Sequence, residues 1–206
     1  MATKRDPRRT QERILTSATT EFAQSGFGGA RVDMIAKRAG INKSLIYHYF
    51  QSKDGLFRAV MERAYRRIRL AEQDLDLLAL DPLDAVVRLT RFTFRYFVDN
   101  PEFIRLLNEE NLYKAEHIRD SRYVRDVQSP LVEQLGQIVE KGEAAGQFRK
   151  GIEPVQLYVT IASLGYFYLS NASTLSTIFE RDLLGEKALT DREEHIHQVV
   201  RAYLGA

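Results

Sequence analysis

Apolar residues recur along this chain at steps of three and four, and no segment keeps the strict alternation of a strand, so the pattern predicts helices throughout. Ile14, Ala18 and Phe22 line one stripe of a first helix expected over about residues 10–25, with Gly26 as its stop signal. Val32, Ile35, Ala36 and Ala39 mark a short second helix, broken by Gly40. Asn42 is a natural N-cap for a third, because its side-chain carbonyl can accept an otherwise unpaired N–H of the first turn. A fourth is expected to begin at Ser52 and run through Leu56, Val60, Ala64 and Ile68 toward Leu78. Beyond it, Pro82, Pro101, Pro130 and Pro154 stand at or near the expected starts of further helices, where a residue without an N–H does least harm. The pattern shows no internal repeat or flexible linker, and the division falls at the fourth helix, into residues 1–52 and 53–206.

The third helix, KSLIYHYFQ, sorts its residues by face. Wound at about 100° per residue, Lys43, Ser44, Tyr47, His48 and Gln51 share an arc, and Leu45, Ile46, Tyr49 and Phe50 take the other side. Two short helices joined tightly at Gly40, with small Ala36 at their crossing, make a helix-turn-helix. The second helix of such a unit fits the major groove of DNA. Lys43 and Ser44 then stand at the end that reaches base edges, while Tyr47, His48 and Lys53 are placed for phosphates. Charge agrees: residues 1–50 hold nine Lys or Arg against four Asp or Glu, in a chain whose total is only +2. The arm Lys4, Arg5, Arg8, Arg9 is either a minor-groove contact or a solvated end.

Phe22, Gly26, the run V-x-x-I-A-x-x-A-G-I-N from Val32 to Asn42, Tyr47, Phe50 and S-K-D-G-L-F from Ser52 to Phe57 resemble the DNA-binding domain of the TetR family of bacterial transcriptional regulators. The resemblance covers about residues 10–60 without a gap, and G-Q-F-R from Gly146 to Arg149 also looks typical. It implies an all-α homodimer, with a three-helix helix-turn-helix domain joined by a long helix to a C-terminal domain for effector binding and dimerisation. The implied partners are a pseudo-palindromic double-stranded DNA operator and a small-molecule effector that releases it. Two positions depart from the family pattern. Arg31 replaces the usual Ser or Thr, so a hydroxyl cap is lost and a phosphate contact is expected instead; Tyr49 stands where His is frequent. The DNA-contacting set expected is Arg31, Lys43, Ser44, Leu45, Tyr47, His48, Tyr49 and Lys53.

At 206 residues and 44% hydrophobic content the chain can bury a substantial core. With no cysteine it has no disulfide, thiol nucleophile or cysteine-ligated zinc, and with no apolar leader in its first residues a cytoplasmic location is expected. No charge occurs between Glu153 and Glu180, but Gln156, Thr160, Ser163, Ser170, Asn171, Ser173 and Thr174 argue against a membrane span and for a helix buried on all sides, partly by a second subunit. Glu194-x-x-His197 has dimetal spacing but lacks the second pair such a site needs, so a solvated face is the reading and no metal or cofactor is expected. No phosphate loop or nucleophile elbow is present, and an enzyme is not expected. The competing reading is an all-helical ligand-binding or protein-interaction module without DNA binding.

For the dimer, Leu157, Ile161, Leu164 and Tyr168 with Ile196, Val199, Val200 and Tyr203 offer two apolar stripes for a four-helix bundle. For the effector, the stripe Phe103, Leu106, Leu107 runs into Glu110 and Asn111, polar groups that need partners if buried. Those partners are either internal, such as Arg88 or Arg91, or include a small polar ligand walled by Phe94, Phe97 and Tyr166.

Overall fold

The computed structural model describes residues 6–205, the side chains of 125–129 aside. Among the described residues there are ten α-helices, one 3-10 turn and no strand. The chain forms two compact units, residues 1–66 with 102–124, and residues 67–101 with 125–206. The expected 52/53 division therefore falls inside the first unit.

In the first unit, α1 (Pro7–Gly29), α2 (Val32–Ala39), α3 (Lys43–Phe50) and the start of α4 (Lys53–Gln73) enclose a core of Ile14, Phe22, Ile35, Ile46, Phe57 and Met61. Gly26 acts as the expected stop signal: at φ 67° and ψ 172° it leaves the helical conformation and divides α1 into two helical stretches across a kink, and the Phe27 N–H left outside the helical ladder donates to Glu109 Oε1 at 2.6 Å. Gly40 takes the left-handed conformation that closes α2, φ 60° and ψ 41°. Asn42 Oδ1 accepts from Ser44 N at 2.9 Å, as its capping role requires. Ser52 caps α4 by accepting from Gly55 N at 2.9 Å, and a Cβ on Gly55 would lie 2.1 Å from Phe50 O, so this turn admits only glycine. Leu106 of α6 (Pro101–Leu112) completes the same core.

The second unit is built on α5 (Pro82–Asp99), which packs against α8 (Pro154–Ser170) and α10 (Glu186–Leu204). With part of α7 (Arg122–Ala144) they bury Val86, Leu89, Phe94, Leu135, Leu157, Ile161, Ile196 and Val200. Pro82, Pro101 and Pro154 do open helices, whereas Pro130 lies inside α7. Only the amide of one turn is lost there, and the flanking turns carry the helix through. The helix α4 ends at Gln73, short of Leu78, because Asp76 adopts φ 46° and Leu77 turns inward in a 3-10 turn (Leu77–Ala79). The uncharged span is also divided, at Asn171, into α8 and α9 (Ala172–Ile178).

The expected dimer stripes are corrected in part. Leu157, Ile161, Ile196 and Val200 face their own unit's core, and Leu164, Tyr168, Val199 and Tyr203 are half-buried. The outward apolar residues of α8 are Val155, Val159 and Phe167. The exposed side of α8 mixes these residues with Gln156 and Ser163, a polar face too weak for periodicity alone to separate the inward stripe from the outward one.

Candidate nucleic-acid interface

The buried side of α3 is set by Ile46, with Tyr49 and Phe50 half-buried against the core of the first unit. That leaves Lys43, Ser44, Tyr47 and His48 in solvent on the other side. Tyr47 is 42% exposed, and the Lys43 ammonium lies 5.8 Å from its ring centroid. Ser44 Oγ donates to Asn42 Oδ1 at 3.0 Å, so the cap that starts the helix also fixes the hydroxyl. On the inner side, Arg13 reaches from α1 to the Ala39 carbonyl and ties α1 to the turn. A rigid scaffold thus presents a polar ridge one helix wide, the shape a major groove admits.

Not every expected residue sits on that ridge. Leu45 and Tyr49 are half-buried at its margin. Arg31 is exposed at the N-cap of α2, where no side chain caps the helix, as its substitution for a hydroxyl residue implied. Its guanidinium pairs instead with Asp33 at 2.8 Å and holds that carboxyl below the usual carboxylate range. Lys53 is half-buried: its ammonium donates to Gly28 O at 3.3 Å and lies 4.9 Å from the Phe27 ring centroid. It holds the bend of α1 besides facing outward. Arg8 and Arg9 are exposed in the first turn of α1; Lys4 and Arg5 lie outside the described residues.

The expected effector residues are not brought together within one unit. Leu107, Glu110 and Asn111 belong to the first, Phe94, Phe97 and Tyr166 to the second. Glu110 is buried, and its partners are internal but are not Arg88 or Arg91. Its carboxylate accepts from His117 N at 3.0 Å and Ile118 N at 3.1 Å, and shares a proton contact with His117 Nδ1 at 2.8 Å. These bonds fold residues 113–121 back, which is why α6 stops at Leu112. Arg88 donates to Leu75 O at 3.3 Å, and Arg91 pairs with Glu193 at 3.1 Å. His197, expected on a solvated face, is buried beside Glu193, and burial followed by the nearby Arg91 lowers its pKa.

A second polar assembly was missed by the sequence reading. In the second unit Arg69 and Glu72, 5% and 3% exposed, form an ion pair on α4, and Arg69 also donates to Tyr158 Oη of α8 at 2.5 Å. Burial pushes the Glu72 carboxyl up to about 7, against the opposing pull of Arg69. The signal was in the sequence: Met61, Tyr65, Ile68 and Glu72 follow one another at steps of three and four, which puts a carboxylate on the apolar stripe.

Comparison with known proteins bears on both regions. Residues 14–60 match the family model described as bacterial regulatory proteins, tetR family, and residues 82–200 match a tetracyclin repressor-like C-terminal domain. The chain is 40% identical over 183 residues to the HTH-type transcriptional repressor NicS of Pseudomonas putida, covering 89% of this chain and 86% of that protein. It is 26% identical to the HTH-type transcriptional regulator RutR of Escherichia coli, over 91% of this chain and 86% of the other. Among solved structures, a bacterial regulatory protein in the tetR family from Rhodococcus shares the fold, with a TM-score of 0.74 at 17% identity, covering 95% of this chain and 97% of the other.

Proposed function

Because the chain belongs to the TetR family of bacterial transcriptional regulators, we propose that it is a repressor that binds a pseudo-palindromic operator as a homodimer and is released by a small-molecule effector. The observation that carries this reading is the polar ridge Lys43, Ser44, Tyr47 and His48, exposed on a helix whose opposite side is locked into a core. Lys43 and Ser44 read base edges, and Tyr47 and His48 grip phosphates on either side. Arg31 and Lys53 add phosphate contacts at the margins, with Leu45 and Tyr49 packing beside the sugar backbone. The role is one of binding, not catalysis, and it is exercised on DNA in the cytoplasm. Among the described residues no helix is long and apolar enough to cross a membrane.

A palindromic site calls for two copies related by a two-fold axis. The outward residues Val155, Val159 and Phe167 of α8, with half-buried Val199 and Tyr203 of α10, are the apolar surface from which we build that dimer. Exposed residues of this size on one helix support an isologous contact, in which each copy covers the other's stripe. Genomic fragment selection with the purified protein tests the whole reading. A recovered sequence with two inverted half-sites is the expected result; recovery of no enriched fragment overturns it.

A further inference from the structure

We propose that the Arg69–Glu72–Tyr158 cluster is where the effector is read, and that the effector's head group is uncharged and carries one hydrogen-bond acceptor and one N–H or O–H donor. The proposal rests on the reading of this chain as a ligand-released repressor and names the site and ligand class that reading leaves open. Two charged side chains this deeply buried are costly unless every polar atom is matched. Here the match is incomplete. Glu72 takes one nitrogen of the Arg69 guanidinium and Tyr158 another, but Arg69 Nε and Glu72 Oε1 have no hydrogen-bond partner. One is a donor and the other an acceptor.

Both residues line a narrow cleft of about 10 Å³ in the second unit, completed by Gln73, Pro130, Leu131 and Gln134. That is room for about one small polar group beside the two residues, and a group that both accepts and donates answers the two unmatched atoms. Gln73 and Pro130 are exposed, so the cleft opens to solvent beside the apolar surfaces of Pro130 and Leu131. A ligand enters such a site favourably only if its head group makes both bonds, while its body lies over the apolar rim. The charge of that head group follows from the ion pair. Arg69 and Glu72 already neutralise each other, so an anionic or cationic head would bring an uncompensated charge into a buried site.

Benzamide, N,N-dimethylbenzamide and benzoate separate these features, since the second lacks the donor and the third carries a charge. Ligand-observed NMR with the full chain at about pH 8 should show benzamide binding at least about ten-fold more tightly than the other two. Arg69→Lys keeps the charge but removes Nε–H, and should abolish the preference in a protein with an unchanged helical spectrum. Equal binding of the three compounds, preference for benzoate, or no binding of benzamide overturns the proposal, and these comparisons do not depend on any variant folding. Mobility shifts of the selected operator on the same samples keep the two readings apart. Failure to bind operator defeats the repressor reading even if benzamide binds, whereas operator binding that is indifferent to bound benzamide defeats the effector role of this cluster.

Discussion

Ser44 and Arg69 are both polar residues on helices, but the first meets its partner two positions away and the second meets Tyr158 across 89 positions of chain. The contrast extends to their surroundings. In the helix-turn-helix, Asn42 pairs with Ser44, Arg31 with Asp33 and Ser52 with Gly55, all exposed or half-exposed and all local. In the second unit, Arg192 donates to Leu164 O across 28 positions and Glu193 draws in Arg91 and Arg95 from another helix. Local pairing leaves a surface ready for a partner and costs little to disturb. Distant pairing in a buried setting holds helices together and is expensive to break.

Five substitutions sharpen that contrast. The largest loss should come from Arg69→Ala at about pH 8, where it strands the ionised Glu72 without its cation: about 3–5 kcal/mol of stability, read by denaturant unfolding. Next, Gly55→Ala forces a methyl group against the Phe50 carbonyl and should cost about 3 kcal/mol, along with operator binding, because α3 and α4 can no longer meet at their observed angle. Glu72→Gln tests the burial through pH. The folded carboxyl titrates near 7, above its ordinary 4.5, so the folded state holds a proton that the unfolded chain has already released between those values. Wild-type stability should therefore fall by about 2–3 kcal/mol relative to Glu72→Gln as pH rises from about 4.5 to 7. A parallel course for the two proteins would show that Glu72 is not held protonated.

Tyr47→Ala removes an exposed ring and should weaken operator affinity by about 1–2 kcal/mol, nearly equally for all sequences, with little change in unfolding. It is a cleaner probe than Lys53→Ala, since Lys53 also braces Gly28 and Phe27. The smallest effect belongs to Arg31→Ala, whose ion pair with Asp33 has side chains 70% and 49% exposed. Its stability should change by less than about 0.5 kcal/mol. A loss comparable to that of Arg69→Ala would erase the distinction between the two assemblies.

The same contrast explains what was legible in the chain. Helices, caps and the turn at Gly40 follow from neighbours in sequence, and so do the faces of α3. Glu110 was rightly singled out as a polar group on an apolar stripe, but its partner His117 lies beyond a turn that no periodicity marks. Glu72 carried the same signal and went unread, because an Arg and a Glu three apart on a helix also describe an ordinary solvated pair. On α8 the outward side sets Val155, Val159 and Phe167 beside only two exposed polar residues, Gln156 and Ser163, so it is the packed structure that separates Leu157 from Val159.

The Asn42 cap has a consequence for the bases that the proposed complex would read. Its side-chain oxygen holds the Ser44 hydroxyl proton as well as the Ser44 amide. With that proton committed, Ser44 can offer a base edge only its lone pairs. In the proposed complex it therefore favours the amino groups of cytosine N4 or adenine N6 over the O6 and N7 atoms of guanine. Adjacent Lys43, with three donors and no acceptor, has the opposite appetite, and prefers guanine. In that proposed complex two neighbouring residues at one helix end would pose complementary questions to the bases they face, and Asn42 would decide one of them through the hydroxyl it holds.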